Sequence, residues 1–161
     1  MLIKGLKTKD LSFNLDSPAC DEPEEIRWMT CSASSEYSAN HACKNAIDGD
    51  LSNTWATYDW GGTLEGAMAW IHLDFHGMYD VTSLEFTHRV GNEDGLFKDL
   101  TFEFSNGEIA GPFTLNEEVG GVNTFTLPNT IHASSVNITA ISSYKRFHNG
   151  FADIKVFGCS G

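Results

Sequence analysis

"WIHLDF", residues Trp70–Phe75, alternates strictly: Ile71, Leu73 and Phe75 fall on one face, His72 and Asp74 on the other. A period of two belongs to a strand with one buried face, because successive side chains point to opposite sides of the pleat. The pattern returns in "SLEFTHRV" (83–90) through Leu84 and Phe86, and in "DLTFEFSNG" (99–107) through Leu100, Phe102 and Phe104. "NTFTLP" (123–128), "SVNITAIS" (135–142) and "FADIKVFG" (151–158) are short, β-branched or aromatic, and bounded by Gly, Asn or Pro; these are strand signals. No stretch of helical length carries a 3.6-residue period. Short strands joined by long irregular loops predict an all-β fold, an antiparallel sandwich or barrel.

The chain has 161 residues, enough for one domain with a substantial core. Its formal charge of −12 argues against nucleic acid and anionic membrane as partners, since both need a basic footprint. No apolar run is long enough for a membrane-spanning helix. The opening "MLIKGLKTKDLSFNLD" lacks the apolar core of a secretory signal. Residues 1–25 are expected to be a leader or an extra strand, and 26–161 the sandwich.

The four cysteines, Cys20, Cys31, Cys43 and Cys159, include no C-x-x-C pair, which disfavours a zinc ribbon or thioredoxin-type motif. Four cysteines allow three disulfide connectivities. If the ends of the domain meet, Cys20–Cys159 ties them and leaves Cys31–Cys43 as a local staple; reduced cysteines in a cytosolic protein are the alternative. Asn137 opens an N-x-T glycosylation acceptor in case of export.

"NAIDGDLSNTW" (45–55) gathers Asp48, Asp50 and Asn53 around Gly49 and stops at Trp55. A turn alone needs one glycine and one Asx side chain. This many oxygens suit calcium, which takes six to eight oxygen ligands, carbonyls included. The stretch is not an EF-hand: Asn53 stands where glycine is required and Asp59 where the bidentate glutamate belongs.

"ASSEYSANHACKNAIDGDLSNTW" (33–55), followed by "WIHLDF", "VTSLEFTHR" (81–89) and "NGFADIKVFG" (149–158), resembles the galactose-binding-like jelly roll of discoidin (coagulation-factor type C) domains and family 32 carbohydrate-binding modules. The resemblance spans roughly residues 28 to 159. It implies a structural calcium ion held by the carbonyls of Asn45 and Asp50, the carboxylate of Asp48, and Asn53, with Ala152 and Asp153 closing the shell. The family commonly has Thr at the place of Asn53 and Glu at that of Asp153; both substitutes still offer oxygen. Trp55 anchors the loop. An extracellular or cell-surface location follows from the same resemblance.

Chemistry is harder to find. His72 and His76 are four apart, but on a strand that spacing spans roughly 13 Å, too far to share an ion. There is neither a G-x-S-x-G elbow nor a phosphate-binding glycine loop, so no enzyme is expected. Recognition is expected on the loops at one end of the sandwich. Tyr58, Asp59 and Trp60 sit beside two glycines; His88, Arg89, Asn92 and Glu93 occupy a second loop; Tyr144, Arg146, Phe147, His148 and Asn149 a third. An arginine beside His88 has no need to be buried. In sugar-binding relatives a His, an Arg, an Asn and a stacking aromatic contact the ligand, so a glycan or glycoprotein of galactose type is the expected partner. The fucose-type R-x-D signature is missing. A protein-adhesion module on the same fold is the alternative.

Overall fold

The computed structural model describes residues 19–58, 68–91, 95–144 and 148–161. Eight strands follow in chain order: β1 Glu24–Glu25, β2 Thr30–Ala33, β3 Trp55–Ala56, β4 Trp70–His88, β5 Phe97–Phe104, β6 Ile109–Thr114, β7 Val122–Ser143 and β8 Gly150–Ser160. Two single-turn 3-10 segments, Ala39–His41 and Cys43–Ala46, lie between β2 and β3. Every pairing is antiparallel.

The long strands β4 and β7 pass through both layers of the sandwich. Trp70–Asp74 pairs with β2 on one side and with Ser135–Thr139 of β7 on the other, and β5 and β6 continue that layer. Beyond Tyr79 the same strand pairs with the first half of β7 and with β8, whose other edge carries β1 and β3. The change of layer falls where the register jumps from Asp74↔Ser135 to Tyr79↔Ala133. There His76 has φ 55° and its N–H is taken by the Asp74 carboxylate at 2.8 Å. Bulges of this kind turn a strand from one sheet into another. A second jump, from Val81↔Ile131 to Ser83↔Thr126, accommodates Pro128, which has no N–H to give to a ladder. The two segments read separately as "NTFTLP" and "SVNITAIS" are therefore one interrupted strand.

The alternating residues form the core as expected. Ile71, Leu73, Phe75, Leu84, Phe86, Leu100, Phe102 and Phe104 are all buried. The two layers meet through aromatic rings: Phe86 of β4 stacks on Phe102 of β5 at 5.6 Å, and Phe151 of β8 lies 5.2 Å from Phe97. The disulfides are Cys20–Cys159 and Cys31–Cys43. The first ties the approach to β1 to the end of β8; the second ties β2 to the second 3-10 turn. Glu24–Glu25 forms a two-residue strand on β8, within the segment read as leader or extra strand, and residues 1–18 of that segment lie outside the described residues.

Candidate functional site

Two features converge on the strand edges: the oxygen-rich loop and the end of the sandwich where β4 stops and β8 begins. In the loop, Gly49 takes φ 76°, a left-handed turn that glycine adopts without steric cost. Asp48 accepts from the Asp50 N–H at 2.8 Å, and Asp50 from the Ser52 N–H at 2.9 Å and the Ser52 hydroxyl at 2.6 Å. The Asn53 amide donates to Asp48 at 3.1 Å and to Asp50 at 3.2 Å. The buried Asn45 side chain donates to the carbonyls of Asn40 and Thr54 at 2.7 and 3.2 Å, closing the base of the loop. Trp55 is buried, and its indole N–H donates to the Ser35 carbonyl at 3.0 Å.

Asp153 faces this loop from β8. It is 5% exposed and walls a cavity of about 510 Å³ together with Asp48, Gly49 and Lys155. Burial raises its pKa above the ordinary carboxylate value; Lys155, with Nζ 3.9 Å away, opposes this, while Glu25, Glu85 and Asp48 add to it. Ala152 has no partner across from it: the β4 register passes from Thr87↔Asp153 to His88↔Phe151. Among the described residues, no three His, Cys, Asp or Glu side chains converge as a metal cluster, so a cation here would depend on main-chain and amide oxygens as well.

Just ahead of β8 the loops lock together, largely through the backbone. Thr57 N–H donates to the Asn149 carbonyl at 2.9 Å, and the His148 ring nitrogen Nδ1 lies 3.1 Å from the Thr57 carbonyl. The Arg89 guanidinium donates to the His148 carbonyl. A Cβ on Gly95 would stand 2.7 Å from that carbonyl and 2.8 Å from Arg89 Nη1, so only glycine lets the three loops close. Tyr37 lies over His148 at 4.2 Å and meets His41 edge-on at 5.2 Å.

The reading that Arg89 has no need of burial is corrected: it is 7% exposed, and His88 and Asn149 are fully buried. The reason is the closed loop geometry, which lays the guanidinium along the His148 backbone. His88 donates through Nε2 to the Asn116 carbonyl at 2.7 Å. His88 Nδ1 and Arg89 Nε are buried with no hydrogen-bond partner among the described residues. Tyr144 turns away from this cluster, donating to the Leu115 carbonyl at 2.7 Å beneath Lys98. Trp60, Asn92, Arg146 and Phe147, with Asp59 and Glu93, lie outside the described residues. Tyr37, His41 and Thr57 join the cluster without having been singled out in the sequence. Tyr37 lies in the bend before the first 3-10 turn, His41 ends that turn and Thr57 follows β3, places that carry no periodic signal.

Burial lowers the pKa of His88, against a smaller opposing effect of its bond to Asn116. His41 is lowered by burial, then by Arg89 and His148. Both stay neutral in the fold below the free value of 6.5. The unfolded chain takes up these protons first, so stability is complete above that pH and is lost as pH falls through it. Imidazole NMR titration is expected to place both midpoints below 6.5, and urea unfolding to show a weaker fold in mildly acidic buffer than in neutral. Midpoints at or above the free value would contradict this.

The F5/8 type C domain family matches residues 30–153. Among solved structures, the family 32 carbohydrate-binding module from Clostridium perfringens NanJ in complex with galactose is 25% identical with TM-score 0.72, covering 84% of this chain and 98% of that one. CpGH89CBM32-5 from Clostridium perfringens, in complex with GalNAc-β-1,3-galactose, is 20% identical with TM-score 0.70, covering 83% and 99%. An F5/8 type C domain from Bacteroides fragilis is 16% identical with TM-score 0.68, covering 83% and 93%. These neighbours, matched over nearly their whole length, are non-catalytic domains. Among curated protein sequences, none matches significantly.

Proposed function

Because the chain belongs to the F5/8 type C domain family, we propose that it is a carbohydrate-binding module, taking a galactose-type or related glycan at the loop end. The observation that carries this reading is the convergence of Arg89, His148, Asn149 and Tyr37 from separate loops around a buried guanidinium. The exposed Tyr37 ring would take the apolar face of a sugar, while Arg89 holds the His148 backbone in place from beneath. The galactose held by the NanJ module supports the ligand class. Two disulfides support an extracellular location, where they persist.

On the same reading a calcium ion joins the Asn45–Asn53 loop to the start of β8. The donor set is all oxygen, which suits a hard cation. A buried carboxylate on Asp153 with further carboxylates about it has a use for one, and Ala152, which the β4 register skips, stands next to it. Asn45, Asp48, Asp50, Asn53, Ala152 and Asp153 would hold the ion. Its role there is structural, and it supplies no step of chemistry.

Calorimetric titration with galactose and N-acetylgalactosamine tests the glycan reading. Arg89→Ala is expected to weaken binding about 10–100-fold, that is about 1.4–2.8 kcal/mol. The fold of the variant is checked by circular dichroism, and Arg89→Lys, which keeps the charge but loses the planar fork, is expected to recover only part of the loss. No binding at millimolar sugar, or variants that bind as the wild type does, would remove the loop end from consideration and leave protein adhesion.

A further inference from the structure

Trp28 is 89% exposed, the most exposed of the large apolar side chains described. It gains nothing from the core. Its backbone also sits at φ 64°, a region that bulky side chains rarely occupy. The conformation is held from both sides: Ile26 N–H bonds the Val156 carbonyl at 2.8 Å, and β2 begins on β4 at Thr30. The chain crosses from one layer's edge to the other within these few residues and leaves the indole standing on a fixed base. Beside it opens a cavity of about 630 Å³, walled by Glu22, Glu24, Glu25, Arg27 and Tyr79. Arg27 lies 3.8 Å from Glu25, so Glu22 and Glu24 bring negative charge that no other cation lining the cavity answers among the described residues.

We propose that Trp28 is the platform of a second binding site, for a glycan bearing free amino groups. An indole face takes the C–H side of a pyranose and attracts a cation more strongly than any other ring. The carboxylates of Glu22 and Glu24 complement a protonated sugar amine; they repel an anionic glycan, and a neutral one draws no benefit from their charge. The site is distinct from the loop end. Cys159 and Ser160 in its wall close β8, whereas His148 and Asn149 precede it, and a strand of that length separates the two by roughly 30 Å. The inference therefore stands whether or not galactose binds at the other end.

The test is titration of the whole chain, with calcium held constant in mildly acidic buffer, using a fully deacetylated glucosamine hexamer. Binding is expected, weakened at least about tenfold in Trp28→Ala and Trp28→Gly, the size of a good cation–π contact. Trp28→Gly relieves the backbone, so its melting temperature is expected to equal or exceed that of the wild type, which separates loss of binding from loss of fold. A Glu22→Gln, Glu24→Gln double variant is expected to weaken binding and flatten its salt dependence. Four outcomes overturn the proposal. They are Trp28 variants that bind normally, an N-acetylglucosamine hexamer that binds equally well, competition by galactose (which moves the hexamer to the loop end), and a lysine oligomer bound as tightly through Trp28, which makes this a peptide site.

Discussion

Trp55→Ala is expected to destabilise the domain by about 3–5 kcal/mol, the range for removing a fully buried large aromatic. The indole is 1% exposed and lies 5.9 Å from Phe97 and 6.4 Å from Phe151, one ring from each layer. Truncation opens a cavity between the sheets and strands the Ser35 carbonyl that the indole N–H satisfies at 3.0 Å. Relaxation to close the gap is limited. β3 pairs with β8 at Trp55↔Phe151 and Ala56↔Gly150, and a Cβ on Gly150 would stand 1.8 Å from the Trp55 carbonyl. The backbones already touch. For a domain of this size each kcal/mol lowers the melting temperature by about 2–4 °C. Trp55→Phe keeps most of the apolar volume and is expected to lose much less. Thermal and urea unfolding measure both, and a loss under about 1 kcal/mol for the alanine variant would show that the loop is anchored elsewhere.

Calcium is expected to produce the second large effect. A ligand that binds only the folded chain stabilises it by about 4 kcal/mol at a thousand times its dissociation constant, so the melting temperature should rise with calcium and fall with a chelator. Asp153 makes the expectation sharper. Its folded pKa is raised above the free value of 3.8, first by burial. The ion-free fold thus holds this proton to a higher pH than the unfolded chain does, and loses stability as pH rises through that interval. A bound cation offsets the cost of the buried charge. Asp153→Asn is accordingly expected to equal or exceed the wild type in chelator and to gain nothing from calcium, so that the two stability curves cross as calcium is added. Indifference of the wild type to both additions would leave the Asp48–Asp153 region as a hydrogen-bonded turn.

The strands between Trp70 and Phe104 were legible because each has one buried face: Ile71, Leu73 and Phe75 are core residues, with the half-exposed His72 and Asp74 between them. β2 and β6 were not. Their burial patterns mix exposed and half-buried positions, since each lies at the margin of a layer and covers little apolar surface. The oxygen-rich loop could be picked out from composition alone. Its hydrogen-bonded form could not, because Asn45 reaches Asn40 and Thr54, contacts that only the 3-10 turn brings about.

What the sequence determined by itself was the all-β class, the aromatic core and the candidate oxygens of the loop, all of them properties of neighbouring residues and their period. What only the tertiary structure decided was burial at the ends of the strands. It placed Arg89 inside, along the His148 backbone, assembled Tyr37 and His41 beside them, and left Trp28 in water. Burial of a loop residue depends on which distant segments close over it, and no local pattern in the chain records that.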